Sequence, residues 1–398
     1  MERAKISSKL SPSQRVINAN LQAKVELNAK AARMRSQGIR VIDMSGYLIE
    51  RPYGSIETPT YVLDATRKTL DNGWPPPSLR GLQSLRETIA HVEKVDKKID
   101  TDPNSEIIVS SGGTMQALYN VLQALIHPND EVLVFRPGLG YDEQVKLAEG
   151  IPIYIDLKES EGYKYNSDNI RKAITSKTKM VILNSPHNPT GHVATRQELM
   201  EIAEVVEDHD LLVLSDEVLW KWVFSESEFV SFASIPGMKE RTIRTSGVTK
   251  IGMFDWRIGW VAGSAELMQQ IEKIMFWQNQ FSPPILQVAA QAHLERLDQW
   301  IQPIIRLEQE KRDILYEGLM KAGFSCFKPQ GTLTTFPSIV QFANSSTVFS
   351  GDLLENAHIL VSPGIAYLGE GHLRVGFGND KQEIVEAIER INRFTTPR

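Results

Sequence analysis

Residues 245–260 read Thr-Ser-Gly-Val-Thr-Lys-Ile-Gly-Met-Phe-Asp-Trp-Arg-Ile-Gly-Trp, with Lys250 among small and hydroxyl side chains and Arg257 seven residues later. That combination suits an aldehyde cofactor carrying a phosphate. The amine forms a Schiff base with the aldehyde, and hydroxyls and a guanidinium grip the anion. On its own, the stretch reads equally well as a surface loop.

Upstream residues strengthen the first reading. Ser110-Ser111-Gly112-Gly113-Thr114-Met115 follows an apolar run and opens a helical pattern. Backbone N–H groups at such a turn, with the positive helix end, cradle a phosphate; a simple tight turn fits as well. In Asn184-Ser185-Pro186-His187-Asn188-Pro189-Thr190-Gly191, Asn188 stands between a turn and a proline. Its amide is rigidly presented and suited to a phenolate-like oxygen, the alternative being an Asx-turn cap. Asp216, in Leu214-Ser215-Asp216-Glu217, closes an apolar run. A buried carboxylate there is costly unless paired, and a protonated pyridine nitrogen is such a partner, keeping the ring an electron sink. An N-cap for the following segment is the plainer alternative. Arg374, in a late strand-like stretch, can clamp a carboxylate bidentately or stand on the surface.

These residues need a scaffold that brings them to one edge. From residue 106, apolar runs at 106–110, 131–135, 152–156, 179–183 and 211–215 alternate with helical segments at 114–126, 141–149, 167–175 and 196–209. That alternation predicts an α/β fold with a mostly parallel sheet covered by helices on both faces. Ligands of such sheets bind beyond the carboxyl ends of the strands, where the polar residues above fall. Upstream, 11–37 reads as one amphipathic helix, 39–43 as a short strand, and 59–72 and 82–95 as helices. Downstream, 263–318 reads as helical with a long run at 298–322. Strands at 336–341, 358–361 and 373–377 then mix with helices at 350–356 and 380–394, as in a smaller α+β domain.

Composition narrows the partners. Hydrophobic residues at 41% and charged residues at 23% describe a soluble globular chain. A net charge of −5 gives no reason to expect nucleic acid or an anionic membrane. One cysteine, Cys326, excludes an internal disulfide and a cysteine-cluster metal site, so no metal is expected and a reducing cytoplasm fits. Residues 1–15 lack the apolar segment of a secretory leader, and no apolar run has the length of a membrane span.

In order and spacing these motifs resemble the fold-type I pyridoxal-phosphate enzymes of the class I/II aminotransferase family, from about residue 10 to about residue 395. The matching elements are Gly81 to Arg86, Gly113 with its helix, Asn188-Pro-Thr-Gly191, Ser215-Asp216-Glu217, Thr249-Lys250, Trp256-Arg257-Ile-Gly-Trp260, Gln287 with Ala289-Ala290, and Ser362-Pro363-Gly364 followed by Leu373-Arg374. Asn188 precedes Asp216 by 28 residues, and Asp216 precedes Lys250 by 34. The resemblance implies pyridoxal 5'-phosphate and an amino acid substrate. It also implies a homodimer with a shared active site and a large domain built on a seven-stranded sheet. The expected division is an N-terminal arm at 1–50 contributing to the small domain, a large cofactor domain at 51–290 and a small C-terminal domain at 291–398. It implies that Lys250 carries the cofactor and moves the substrate proton, that Asp216 pairs with the ring nitrogen and that Asn188 bonds the ring hydroxyl. Gly113, Thr114, Met115, Ser246, Thr249 and Arg257 would hold the phosphate, and Arg374 the substrate carboxylate.

Several positions depart from the family pattern. Leu139 stands where an aromatic usually stacks on the ring, with Tyr141 two residues on. Leu219 replaces a tyrosine near the ring oxygen, and Pro76, with Trp74 nearby, replaces one supplied by the neighbouring subunit. Gly247 takes the place of a common serine, and the loop at 46–59 is longer than usual. Transamination is the first expectation. The disturbed pocket leaves elimination, replacement or cyclisation of a guanidino amino acid as the alternative, and a catalytically silent homologue as a third reading. Glu50 and Glu57, in the longer loop, are expected to pair with a cationic substrate side chain, or else to be solvated.

Overall fold

The computed structural model describes residues 11–20, 24–46, 58–253 and 256–396. Its strands in chain order are β1 (Ile42–Asp43), β2 (Ile107–Ser110), β3 (Glu131–Arg136), β4 (Ile151–Asp156), β5 (Thr178–Asn184) and β6 (Leu212–Asp216). They continue with β7 (Thr242–Gly247), β8 (Gly259–Ala262), β9 (Thr334–Thr335), β10 (Ile359–Leu360), β11 (Ser362–Pro363) and β12 (Leu373–Gly376).

Seven strands form the central sheet in the order β2-β8-β7-β6-β5-β3-β4. β7, β6, β5, β3 and β4 are parallel, whereas β8 runs antiparallel to both neighbours. Alternation along each strand divides the side chains between two layers. Val132, Val134, Met180, Ile182 and Leu214 pack under helices Gly113–Leu125 and Ala265–Asn279. Leu133, Phe135, Val181, Leu183 and Val213 pack under helix Arg196–Asp208. Burial on both faces explains why the sequence shows near-continuous apolar runs. The register sets Asn184 beside Asp216, and Asp216 beside Thr245, so these strand ends share one edge.

A third apolar cluster joins helix Gln83–Asp96 and helix Pro284–Leu294 to helices Leu297–Lys321 and Lys381–Thr395. Beside it β1 pairs in parallel with β10, and β11, β12 and β9 form an antiparallel sheet.

The structure corrects two expectations, divides a third region into separate helices and adds a strand. Residues 11–37 are not one helix: Gln14–Ile17 and Lys24–Ser36 are separate. The chain leaves the first at Asn18, and the Asn20 N–H reaches Glu143. Val16, Ile17 and Val25 are exposed, while Leu27 and Ala31 pack on Leu354 and Leu360. The 263–318 region is three helices, divided near Pro283 and at Arg296. No strand spans 336–341, because Pro337 cannot donate to a ladder; the strand is β9, just ahead of it. β8 was not foreseen. Among the described residues, no helix is long and apolar enough to cross a membrane, and no group of His, Cys, Asp or Glu side chains could hold a metal ion.

Candidate active site

At the carboxyl edge of β5, β6 and β7 lies a cleft of about 410 Å³, lined by Lys250, Asp216, Asn188, Arg257, Arg374, Thr114 and Thr249 among others. They come from several elements, with Thr249 and Lys250 sharing one turn. Lys250 sits in the short helical turn after β7, and its carbonyl accepts from the Trp222 indole N–H. The turn ends at Gly252, whose φ is +101° and where a Cβ would lie 2.2 Å from Trp300, so glycine is required there.

Asp216 ends β6 and is buried. Its Oδ2 accepts from the Tyr141 hydroxyl at 2.8 Å and its Oδ1 from the Val218 N–H at 3.1 Å. Burial pushes this carboxyl up to about 6, against the opposing pull of those two hydrogen bonds; Glu217 adds to the rise and Lys250 opposes it. Asn184, at the end of β5, donates to the Asp216 carbonyl at 3.0 Å and accepts from the Asn188 N–H at 2.9 Å. Tyr165 donates to the Asn184 carbonyl at 2.7 Å. Asn184 therefore couples Asn188 to Asp216, a role that the reading of the sequence missed, as it missed Tyr141.

Gly113, Thr249 and Arg257 meet at one end of the cleft. Gly113 has φ +68°, and a Cβ there would lie 3.2 Å from Arg257 Nη2 and 3.3 Å from Thr249 Oγ1. Arg257, with φ +55°, donates to the Gly112 carbonyl at 2.7 Å. Thr114 and Met115 also line the cleft. Ser246 is placed differently: its hydroxyl donates to the Glu217 carbonyl at 3.2 Å and ties β7 to β6. Leu139 lines the cleft, while Leu219 reaches both the cleft and the core. Trp74 is 58% exposed.

Arg374 reaches the same cleft from β12. It donates to the Ser45 carbonyl at 2.6 Å, and its guanidinium lies 4.5 Å from the Tyr367 ring centre. Glu50 and Glu57 lie outside the described residues.

Pyridoxal 5'-phosphate fits these residues. Thr114 Oγ1, Thr249 Oγ1 and Asn188 Oδ1 are buried without a hydrogen-bond partner among the described residues, and buried polar groups ordinarily have one. A cradle that a Cβ at Gly113 would crowd, an amine and a carboxylate complete the set. A lysine, an acid and an anion cradle at one sheet edge define a pyridoxal-phosphate-dependent enzyme.

Comparison with known proteins narrows the class. The family described as aminotransferase class I and II matches residues 72–391. An aspartate aminotransferase of Bacillus sp. (strain YM-2) is 33% identical over 379 residues, covering 92% of this chain and 95% of that protein. The aromatic-amino-acid aminotransferase 2 of Thermococcus litoralis is 32% identical, covering 85% and 88%. Among solved structures, an aspartate aminotransferase double mutant of Thermus thermophilus superposes with a TM-score of 0.90 at 28% identity, covering 96% of this chain and 99% of that one. The chain belongs to the class I and II aminotransferase family, and is a pyridoxal-phosphate-dependent transferase. The elimination or cyclisation alternative finds no support among these relatives.

Proposed function

We propose that the protein transfers the amino group of an L-α-amino acid to a keto acid, with Lys250 as the base and Arg374 as the carboxylate clamp. The observation that carries this reading is the meeting of Lys250, Asp216, Asn188, Arg257 and Arg374 on one cleft. When bound, the cofactor supplies an electron sink for the substrate α-carbon. Lys250 Nζ would hold the cofactor and serve as the base toward the substrate α-proton. Asp216 would meet the ring nitrogen as an anion, and Asn188, held through its N–H by Asn184, would bond the ring's polar edge. Gly113, Thr114, Met115, Thr249 and Arg257 would hold the phosphate, with Ser246 acting through the strand end it braces. Arg374, held by the Ser45 carbonyl, presents its remaining N–H groups to the α-carboxylate.

Relatives named for aspartate and for aromatic amino acids support an α-amino acid substrate without choosing its side chain. The same reading includes a homodimer completing the site, a cytoplasmic setting, and the division at 1–50, 51–290 and 291–398. The test is a product assay by mass spectrometry on a panel that includes aspartate, tyrosine and arginine, with and without 2-oxoglutarate. Transamination gives at most one keto acid per subunit without acceptor and sustained turnover with it. Many turnovers without acceptor would overturn the reading. In the same assay, an unchanged KM for basic amino acids in both Glu50→Gln and Glu57→Gln would remove those residues from the site.

A further inference from the structure

Behind Asp216 lies a buried set of four charges that the proposed chemistry does not use. Glu93, near the end of helix Gln83–Asp96, is 2.7 Å from Lys97 Nζ, and Arg244 Nε on β7 is 2.7 Å from the other oxygen of Glu93. Lys97 Nζ is also 2.9 Å from Glu217, the residue that follows Asp216. All four side chains are 1% exposed or less. Among the described residues, the other hydrogen-bond partners of the set are uncharged, and the carboxylate next to Lys97 in the chain, Asp96, is paired with Lys221. Ser215 and Ser231 donate to Glu217, and Arg244 donates to Thr101. The faces of Trp220 and Trp260 lie 5.4 and 6.0 Å from Lys97 Nζ.

Two cations and two carboxylates cancel. A buried ion pair is weak evidence for stability, since apolar replacement is often neutral, whereas removing one partner strands a buried charge. Here the stranded charge would be Glu217, one residue from Asp216. The groups facing Asp216 are Tyr141 from its helix, the Val218 N–H, Lys250 and Glu217 itself. Glu217 is the one that pushes Asp216 toward its neutral form by charge. Burial would raise Glu93, but Lys97 and Arg244 hold its carboxyl below the usual carboxylate range.

We infer that Lys97 is a positioning residue for the amino-group transfer: by cancelling the charge of Glu217 it keeps the adjoining Asp216 carboxylate anionic and able to meet the cofactor ring nitrogen. The inference rests on the Asp216 role proposed above. Neither Lys97 nor Glu217 touches the cofactor or substrate in this account; both act through Asp216.

The experiment compares the wild type, Lys97→Met, Glu217→Gln and the double variant by two readouts. One is the Kd of pyridoxal phosphate for the apoprotein, by absorbance titration. The other is the pH profile of kcat/KM in the holoenzyme. Lys97→Met leaves a net negative charge, so it should weaken cofactor binding roughly tenfold and move the acid limb up by about one pH unit. Glu217→Gln leaves a net positive charge and should move the acid limb down. The double variant restores neutrality through Glu93 and Arg244 and should return both readouts close to wild type. If Lys97 were only a structural strut, the double variant would be at least as impaired as Lys97→Met. That result, or an unmoved acid limb in Glu217→Gln, overturns the inference. If Lys97→Met does not fold, Glu217→Gln and the double variant still decide. Asp216→Asn separates the two levels: if it leaves the Kd and the pH profile intact, the Asp216 role itself fails and Lys97 has nothing to position. If it abolishes both while the other variants show no charge compensation, only the inference about Lys97 fails.

Discussion

The Tyr141 hydroxyl donates to Oδ2 of Asp216 at 2.8 Å, inside the protein and one residue from the buried Glu217. That bond favours the anion in surroundings that otherwise push the carboxyl up to about 6. A hydrogen bond to a buried charged acceptor is worth about 1–3 kcal/mol. Tyr141→Phe should therefore lower kcat/KM by roughly ten- to a hundredfold. Removing a group that lowers the Asp216 pKa moves the acid limb of the pH profile to higher pH. A profile with an unmoved acid limb would detach Tyr141 from Asp216.

Lys250 and Arg374 should separate chemistry from binding. Lys250→Ala should remain folded by circular dichroism, lose the yellow absorbance of bound cofactor and stop amino transfer. Arg374→Lys keeps a positive charge but loses the planar fork. It should raise the amino acid KM by about ten- to a hundredfold with the cofactor Kd unchanged. A matching loss of cofactor affinity would place Arg374 elsewhere in the mechanism.

Gly113 occupies the cradle that an added methyl would crowd, 3.2 Å from Arg257 and 3.3 Å from Thr249, at φ +68°. Gly113→Ala should destabilise the protein by about 1 kcal/mol through the backbone alone. It should also weaken pyridoxal phosphate more than pyridoxal, because the crowding falls on the anion side. Equal losses for the two ligands, measured by absorbance titration, would count against a phosphate cradle.

His293 lies under the Lys250 turn, with Nε2 on the Ile251 carbonyl and Nδ1 3.1 Å from the Tyr61 hydroxyl. Burial pushes its imidazole down to about 4, although the Ile251 carbonyl pulls the other way. Its folded pKa is depressed below the ordinary 6.5, so its contribution to stability is present above pH 6.5. That contribution is lost as pH falls toward 4, a loss on the order of 3 kcal/mol. His187, which burial pushes down to about 3, acts in the same sense over the wider window from pH 6.5 down to 3. His293→Gln should be less stable at neutral pH yet show a flatter dependence of Tm on pH between 6.5 and 4. A slope equal to wild type would assign the acid sensitivity elsewhere.

The parallel strands were legible because burial on both faces leaves apolar runs that stop at polar strand ends, as at Asn184 and Asp216. Lys250, Asn188, Asp216, Arg257 and Arg374, which the fold brings to one cleft, could be singled out because order and spacing survive folding. Tyr141 was not, since an aromatic at a helix start reads as packing until its hydroxyl is seen to meet a residue 75 positions away. Glu93 and Lys97, four apart, carry no local sign of burial in the sequence, and only the fold buries them. β8 escaped notice because Gly259–Ala262 is short and begins with glycine. The N-terminal region was read as too long a helix because the attachment of Asn20 to Glu143 is not written locally.

The bond from Arg374 to the Ser45 carbonyl joins positions 329 residues apart, and β1 must likewise wait for β10. During synthesis the lysine, the aspartate and the anion cradle all emerge from the ribosome well before Arg374. On the roles proposed above, the residues for the cofactor are made before the arginine for the substrate carboxylate, and that arginine is seated only when strands far apart in the chain have met.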